Sequence, residues 1–98
     1  MRERDIERHL VRRVKELGGE VRKVKWIGRR GAPDRIVMLP ECYNNSFTTL
    51  DGMTCWVELK APGVPAEDHQ LREHKRMRKM GQHVVVIDSI EGVEELLA

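Results

Sequence analysis

The sequence predicts an α/β fold, a mixed sheet flanked by helices in the order α-β-β-β-α-β-α. Three observations lead to it. Apolar residues recur at helical spacing near the N-terminus, and Leu71, Met77 and Met80 mark a second helix. Short runs rich in Val and Ile stand between and after these helices, and Gly or Pro punctuates the junctions. Helices interleaved with such runs need a sheet to cover, and the sheet needs the helices. At 98 residues the chain has the length of one domain, 1–98, near the small end of what folds on a single core.

The first helix is expected over residues 3–17, where Ile6, Leu10, Val14 and Leu17 form a stripe backed by arginines. Gly18-Gly19 stops it. Residues 21–26 read as a strand, residues 28–33 as a turn rich in Gly and Arg, and residues 35–39 as a short apolar strand ending at Pro40. Residues 41–53 are polar, carry Asn-Asn and Asp-Gly turn signals, and read as a long hairpin connection. Residues 54–60 form the next strand, broken by Pro62, Gly63 and Pro65. A helix over about 66–80 follows, with Leu71, Met77 and Met80 as its core side and Gly81 as its stop. Residues 83–88 are β-branched enough for a strand buried on both faces, and residues 93–97 make a short last helix.

Composition limits the function classes. Hydrophobic content of 40% supports a packed interior, and with aromatics at 4% that interior must rest on Val, Leu, Ile and Met. No apolar run is long enough to span a bilayer, and Met1-Arg2-Glu3-Arg4-Asp5 has no leader character, so a cytosolic protein is expected. Cys42 and Cys55 fit that compartment as free thiols, and no ligand spacing for structural zinc occurs. The net charge of +2 conceals polarisation. Arg22, Lys23, Lys25, Arg29, Arg30 and Arg35 form one basic stretch, and Arg72, Lys75, Arg76, Arg78 and Lys79 a second. Acidic residues gather instead in Asp88, Glu91, Glu94 and Glu95. Such a pattern suits a polyanion, although two solvated surfaces explain it equally well.

Three residues make a sharper case. Side chains alternate along a strand, so Glu58 and Lys60 share a face while Leu59 points away. If residues 35–39 and 54–60 pair as a hairpin, Asp34 at the start of one comes beside Glu58 at the end of the other. Two converging carboxylates repel unless a cation lies between them, and oxygen donors without Cys or His favour Mg²⁺ or Mn²⁺. Such an ion lowers the pKa of a bound water and stabilises charge developing on a phosphate, and Lys60 could position that water or offset that charge. Taken singly, each residue reads as an ordinary turn or sheet-surface group.

Taken together, Gly31-Ala32-Pro33-Asp34 and Glu58-Leu59-Lys60 resemble the PD-(D/E)xK nuclease signature. The surrounding residues, Gly28 to Arg35, Trp56 to Gly63 and His69-Gln70, resemble the VRR-NUC family, the virus-type replication-repair nucleases, found as stand-alone phage proteins and as domains of larger repair enzymes. The resemblance implies that Asp34, Glu58 and the backbone carbonyl of Leu59 hold the metal and that Lys60 is the catalytic lysine. It implies a supporting role for Gln70 and a glutamate from the first helix. Glu7 is the choice for the latter, Glu3 one turn earlier is the alternative, and a solvated helix carboxylate is the plain reading of Glu7.

The activity implied is a Mg²⁺- or Mn²⁺-dependent DNA endonuclease leaving a 5′-phosphate and a 3′-hydroxyl. Like Holliday-junction resolvases, it would act on branched DNA as a homodimer. Lys25, Arg29, Arg30 and Arg35 are the candidate phosphate contacts. The 41–53 connection is longer than is usual for such chains. His9, His69, His74 and His83 form no constellation, and Trp26 and Trp56 are expected to pack in or beside the sheet. Two other classes compete: a nucleic-acid-binding module without catalysis, and a structural or protein-interaction domain.

Overall fold

A computed structural model describes residues 1–40 and 54–98. Its elements are α1 (Glu3–Glu16), β1 (Glu20–Lys23), β2 (Arg35–Met38), β3 (Thr54–Leu59), α2 (Asp68–Lys79), β4 (Val84–Ile87) and α3 (Ile90–Leu97). The order α-β-β-β-α-β-α is the expected one. The expected connection at 41–53, with Cys42, lies outside the described residues.

The four strands follow one another in the sheet as β1-β2-β3-β4, antiparallel until the last pair, β3 and β4, which is parallel. That parallel step needs a crossover, and α2 supplies it. On one face, Ile6, Leu10 and Val14 of α1 and Val93 and Leu97 of α3 close over Val37, Cys55, Val57, Leu59 and Ile87. Burial also pushes the Cys55 thiol up to about 11, which keeps it protonated and unreactive.

Helix starts use local chemistry. Asp5 Oδ2 accepts the Arg2 N–H at 2.8 Å, Gln70 Oε1 accepts the Glu67 N–H at 2.8 Å, and Ser89 Oγ accepts the Gly92 N–H at 2.9 Å. The Ser89 cap is why α3 begins at Ile90, earlier than the expected 93, despite Gly92 in its first turn. At the other end of α1, a Cβ on Gly19 would lie 2.3 Å from the Met38 carbonyl oxygen. Only glycine lets the helix turn directly onto the sheet there.

Three expectations are corrected. The strand expected over 21–26 ends at Lys23; Val24 still donates to the Asp34 carbonyl at 2.9 Å, but Trp26 turns to bond the Pro33 carbonyl at 2.8 Å. β4 is not buried on both faces: it is an edge strand, and Val86 is 38% exposed. Leu71 and Met80 are not core, at 47% and 69% exposure, because α2 turns Glu73, His74 and Met77 inward instead. The tryptophans do pack beside the sheet, with ring centroids 5.1 Å apart. No helix among the described residues is long and apolar enough to cross a membrane.

α1 and α3 are clamped by Glu94, which takes His9 Nε2 at 2.8 Å and Arg13 Nε at 3.0 Å. These partners, His9 first, hold the Glu94 carboxyl below its ordinary value. A depressed carboxyl stabilises the fold above its unfolded-state pKa and loses that stabilisation as pH falls through the lowered value. Glu94→Gln is therefore expected to lower the melting temperature near neutrality and to converge with the wild type in acid. Parallel thermal melts over that range check it, and an equal deficit at every pH would contradict it.

Candidate active site

The β2–β3 register pairs Arg35 with Val57. One step further, at the mouth of the hairpin, Asp34 stands opposite Glu58, on the same face as its partner. That face is the one away from α1, because Val57 and Leu59 on either side of Glu58 belong to the core. Lys60 follows two residues on, and by alternation shares the face with Glu58. The hairpin thus brings Asp34, Glu58 and Lys60 together, as the sequence led one to expect.

Glu58 is unusual for a carboxylate, only 8% exposed. Burial is the main cause that pushes its carboxyl up to about 7, with Lys60 opposing and Asp34 and Glu3 adding to the rise. The Lys60 ammonium is the largest charge effect acting on Glu58. His74 lies behind, its Nε2 3.3 Å from Glu58 Oε1.

Asp34 is half exposed and bonded by Arg35 Nη1 at 2.8 Å. The same guanidinium also pairs with Glu7 of α1. Glu7 therefore reaches the site through Arg35, while Glu3 is exposed and acts on Glu58 through its charge. Arg35, grouped by sequence with the surface cations, is at 9% exposure and withdrawn from that set. Its place at the first position of β2 faces α1, and two carboxylates offset its charge there.

Gln70 sits in the first turn of α2, half buried, with its amide oxygen engaged by the Glu67 N–H. The loop before Asp34 presses onto this turn: Gly31 has φ +88°, and a Cβ there would lie 2.8 Å from the His69 carbonyl oxygen. Arg29 reaches the buried Glu73 at 3.5 Å, which also holds Arg76 at 2.8 Å. Gly31→Ala is expected to cost about 1–2 kcal/mol from the left-handed backbone alone. The clash with His69 adds to that and displaces Asp34. Denaturant unfolding beside a metal-binding titration checks it, and wild-type behaviour in both would refute the close approach.

Lys25 and Arg30 remain exposed. Lys25 borders a cleft of about 520 Å³ lined also by Lys23, Val24, Trp26, Ala32 and Asp34, so two lysines share a cleft with Asp34. Among the described residues no group of three His, Cys, Asp or Glu side chains converges. The donors at hand are the Asp34 and Glu58 carboxylates and the Leu59 carbonyl beside them. They fit a hard divalent cation: all are oxygens, and a carboxyl buried beside a second one gains most from a positive charge between them. Sequence reasoning missed Glu73 and His74. The signal was a polar pair at Glu73 and His74 spaced with Gln70 and Met77 as an inward helix stripe, i, i+3, i+4, i+7.

No protein-family model matches the chain. A protein of Acyrthosiphon pisum secondary endosymbiont phage 1 named "Putative nuclease p44" is 44% identical over 89 residues, covering 91% of this chain and 85% of the phage protein. A solved structure described as a VRR_NUC domain superposes with a TM-score of 0.78 at 38% identity, over 97% of this chain and 92% of its own. The fold that carries Asp34, Glu58 and Lys60 is thus shared along nearly the whole chain, and the chain belongs to the VRR-NUC nuclease family.

Proposed function

We propose that this nuclease is a Mg²⁺- or Mn²⁺-dependent endodeoxyribonuclease of one domain, 1–98, that cuts branched DNA such as Holliday junctions as a homodimer. The observation that carries the reading is the hairpin register, which sets Asp34 opposite Glu58 with Lys60 on the same face.

Asp34, Glu58 and the Leu59 carbonyl would hold the cation, which would supply water activation and offset charge on the phosphate. Lys60 steers the attacking water and neutralises the oxygen on which charge develops. Water adds in line at phosphorus, the bond to the 3′-oxygen breaks, and a 5′-phosphate and a 3′-hydroxyl result. Glu7 fixes Arg35, and Arg35 fixes Asp34. Gln70 closes the first turn of α2 against the Gly31 loop. Lys25, Arg29 and Arg30 take backbone phosphates on the approach, with the cleft beside Asp34 as the path. Two copies would give two sites for two symmetric strands. The place of action is the bacterial or phage-infected host cytosol.

The test is cleavage of four-way junction, flap and linear duplex DNA over a Mn²⁺ and Mg²⁺ titration, with sedimentation of the protein alone and on junction. Paired cuts in the junction by a dimer are expected. Equal cutting of all three substrates would remove the branch preference, and binding without cutting in either metal would favour a non-catalytic module.

A further inference from the structure

His74 is 0% exposed, yet it is polar, and Nδ1 is a buried atom without a hydrogen-bond partner among the described residues. An unsatisfied buried nitrogen is costly, and an apolar side chain would fill the same volume without that cost. Met77, next along the inward stripe of α2, shows that an apolar residue suits this face. The one contact that accounts for an imidazole is at Nε2, 3.3 Å from Glu58 Oε1. In its ionised form, the one that can bind a cation, Glu58 only accepts; Nε2 then carries the hydrogen and donates, which leaves Nδ1 as the bare acceptor.

We infer that His74 is a positioning residue: from the buried side of α2 it holds one oxygen of Glu58, so that the other oxygen is presented to a divalent cation shared with Asp34. The inference rests on the proposed cation site. His74 touches neither substrate nor reacting atoms in this scheme. Its effect is to remove the rotational freedom of Glu58 before the ion arrives, which favours binding by preorganisation. It also explains why a glutamate buried in a strand can serve as a ligand at all. Packing alone would leave its side chain free to turn toward Lys60.

The experiment compares the wild type with His74→Leu and His74→Gln by Mn²⁺ calorimetry, thermal melting and cleavage as a function of Mn²⁺ concentration. His74→Leu is expected to melt at or above the wild-type temperature while binding Mn²⁺ about 10–100-fold more weakly. His74→Gln keeps an N–H within reach of Glu58 and is expected to recover part of the affinity. In cleavage, the Mn²⁺ concentration for half-maximal rate should rise with a smaller change in the rate at saturating metal. Wild-type Mn²⁺ affinity in His74→Leu would overturn the inference, as would a loss in both variants that only follows a lowered melting temperature. A wild type that takes up no Mn²⁺ would instead overturn the cation site itself, and that result is visible before any substitution is made.

Discussion

Lys60→Ala is expected to slow DNA cleavage by about 10²–10³-fold, the usual cost of deleting one preorganised group that meets developing charge. Asp34→Ala should lose at least as much, but for a different reason, because it removes a donor of the cation rather than a charge that meets the phosphate. Mn²⁺ calorimetry separates the two. Asp34→Ala should no longer take up the ion, whereas Lys60→Ala should still bind it. The comparison belongs at alkaline pH, because Lys60 also helps to hold Glu58 ionised. Cleavage by Lys60→Ala at the wild-type rate would remove the lysine from the chemistry. Retained Mn²⁺ binding by Asp34→Ala would remove the aspartate from the ligand set.

Leu10→Ala carries the largest expected effect on stability. Leu10 is at 0% exposure, midway along the α1 stripe, in the cluster that joins α1 and α3 to the sheet. Truncating a fully buried leucine costs about 2–5 kcal/mol, from lost burial and the cavity left behind. A domain of this length has only about 5–15 kcal/mol in total, and each kcal/mol moves the midpoint by about 4–8 °C. A fall of at least roughly 8 °C follows from these magnitudes. Leu71→Ala is the matched control: at 47% exposure on α2 it should change the midpoint little. Equal losses at both positions would contradict the burial pattern, and so would no loss at Leu10.

The contrast between those two leucines marks where local pattern stops being informative. The α1 stripe was legible because Ile6, Leu10 and Val14 repeat at helical spacing against a charged background. The strands were legible from β-branched runs, and the hairpin followed because β2 and β3 are antiparallel and joined in sequence. From these, alternation put Glu58 beside Lys60 and hairpin pairing put Asp34 opposite, so the arrangement of the candidate site was readable residue by residue. The limits of α3 and β1 were less so. Their ends depend on a serine cap and on the turn that Trp26 makes toward Pro33, one hydrogen bond each.

What the sequence by itself determined, then, is the element order, the α1 core stripe and the Asp34, Glu58 and Lys60 set, because each rests on short-range periodicity or on neighbours in the chain. Only the tertiary structure decided that Arg35 turns inward to link Glu7 with Asp34, that α2 buries Glu73 and His74 while Leu71 and Met80 face outward, and that Val86 is left exposed on an edge. Val86 is exposed because β4 is the last strand of the sheet, and the other two share one physical reason. A charged or polar side chain is buried only where other residues supply its partners, as Glu7 does for Arg35, Arg29 and Arg76 for Glu73, and Glu58 for His74. Arg76 is a local partner, three positions from Glu73, but the others lie 16 to 44 positions away on another part of the fold, and local spacing carries no record of them.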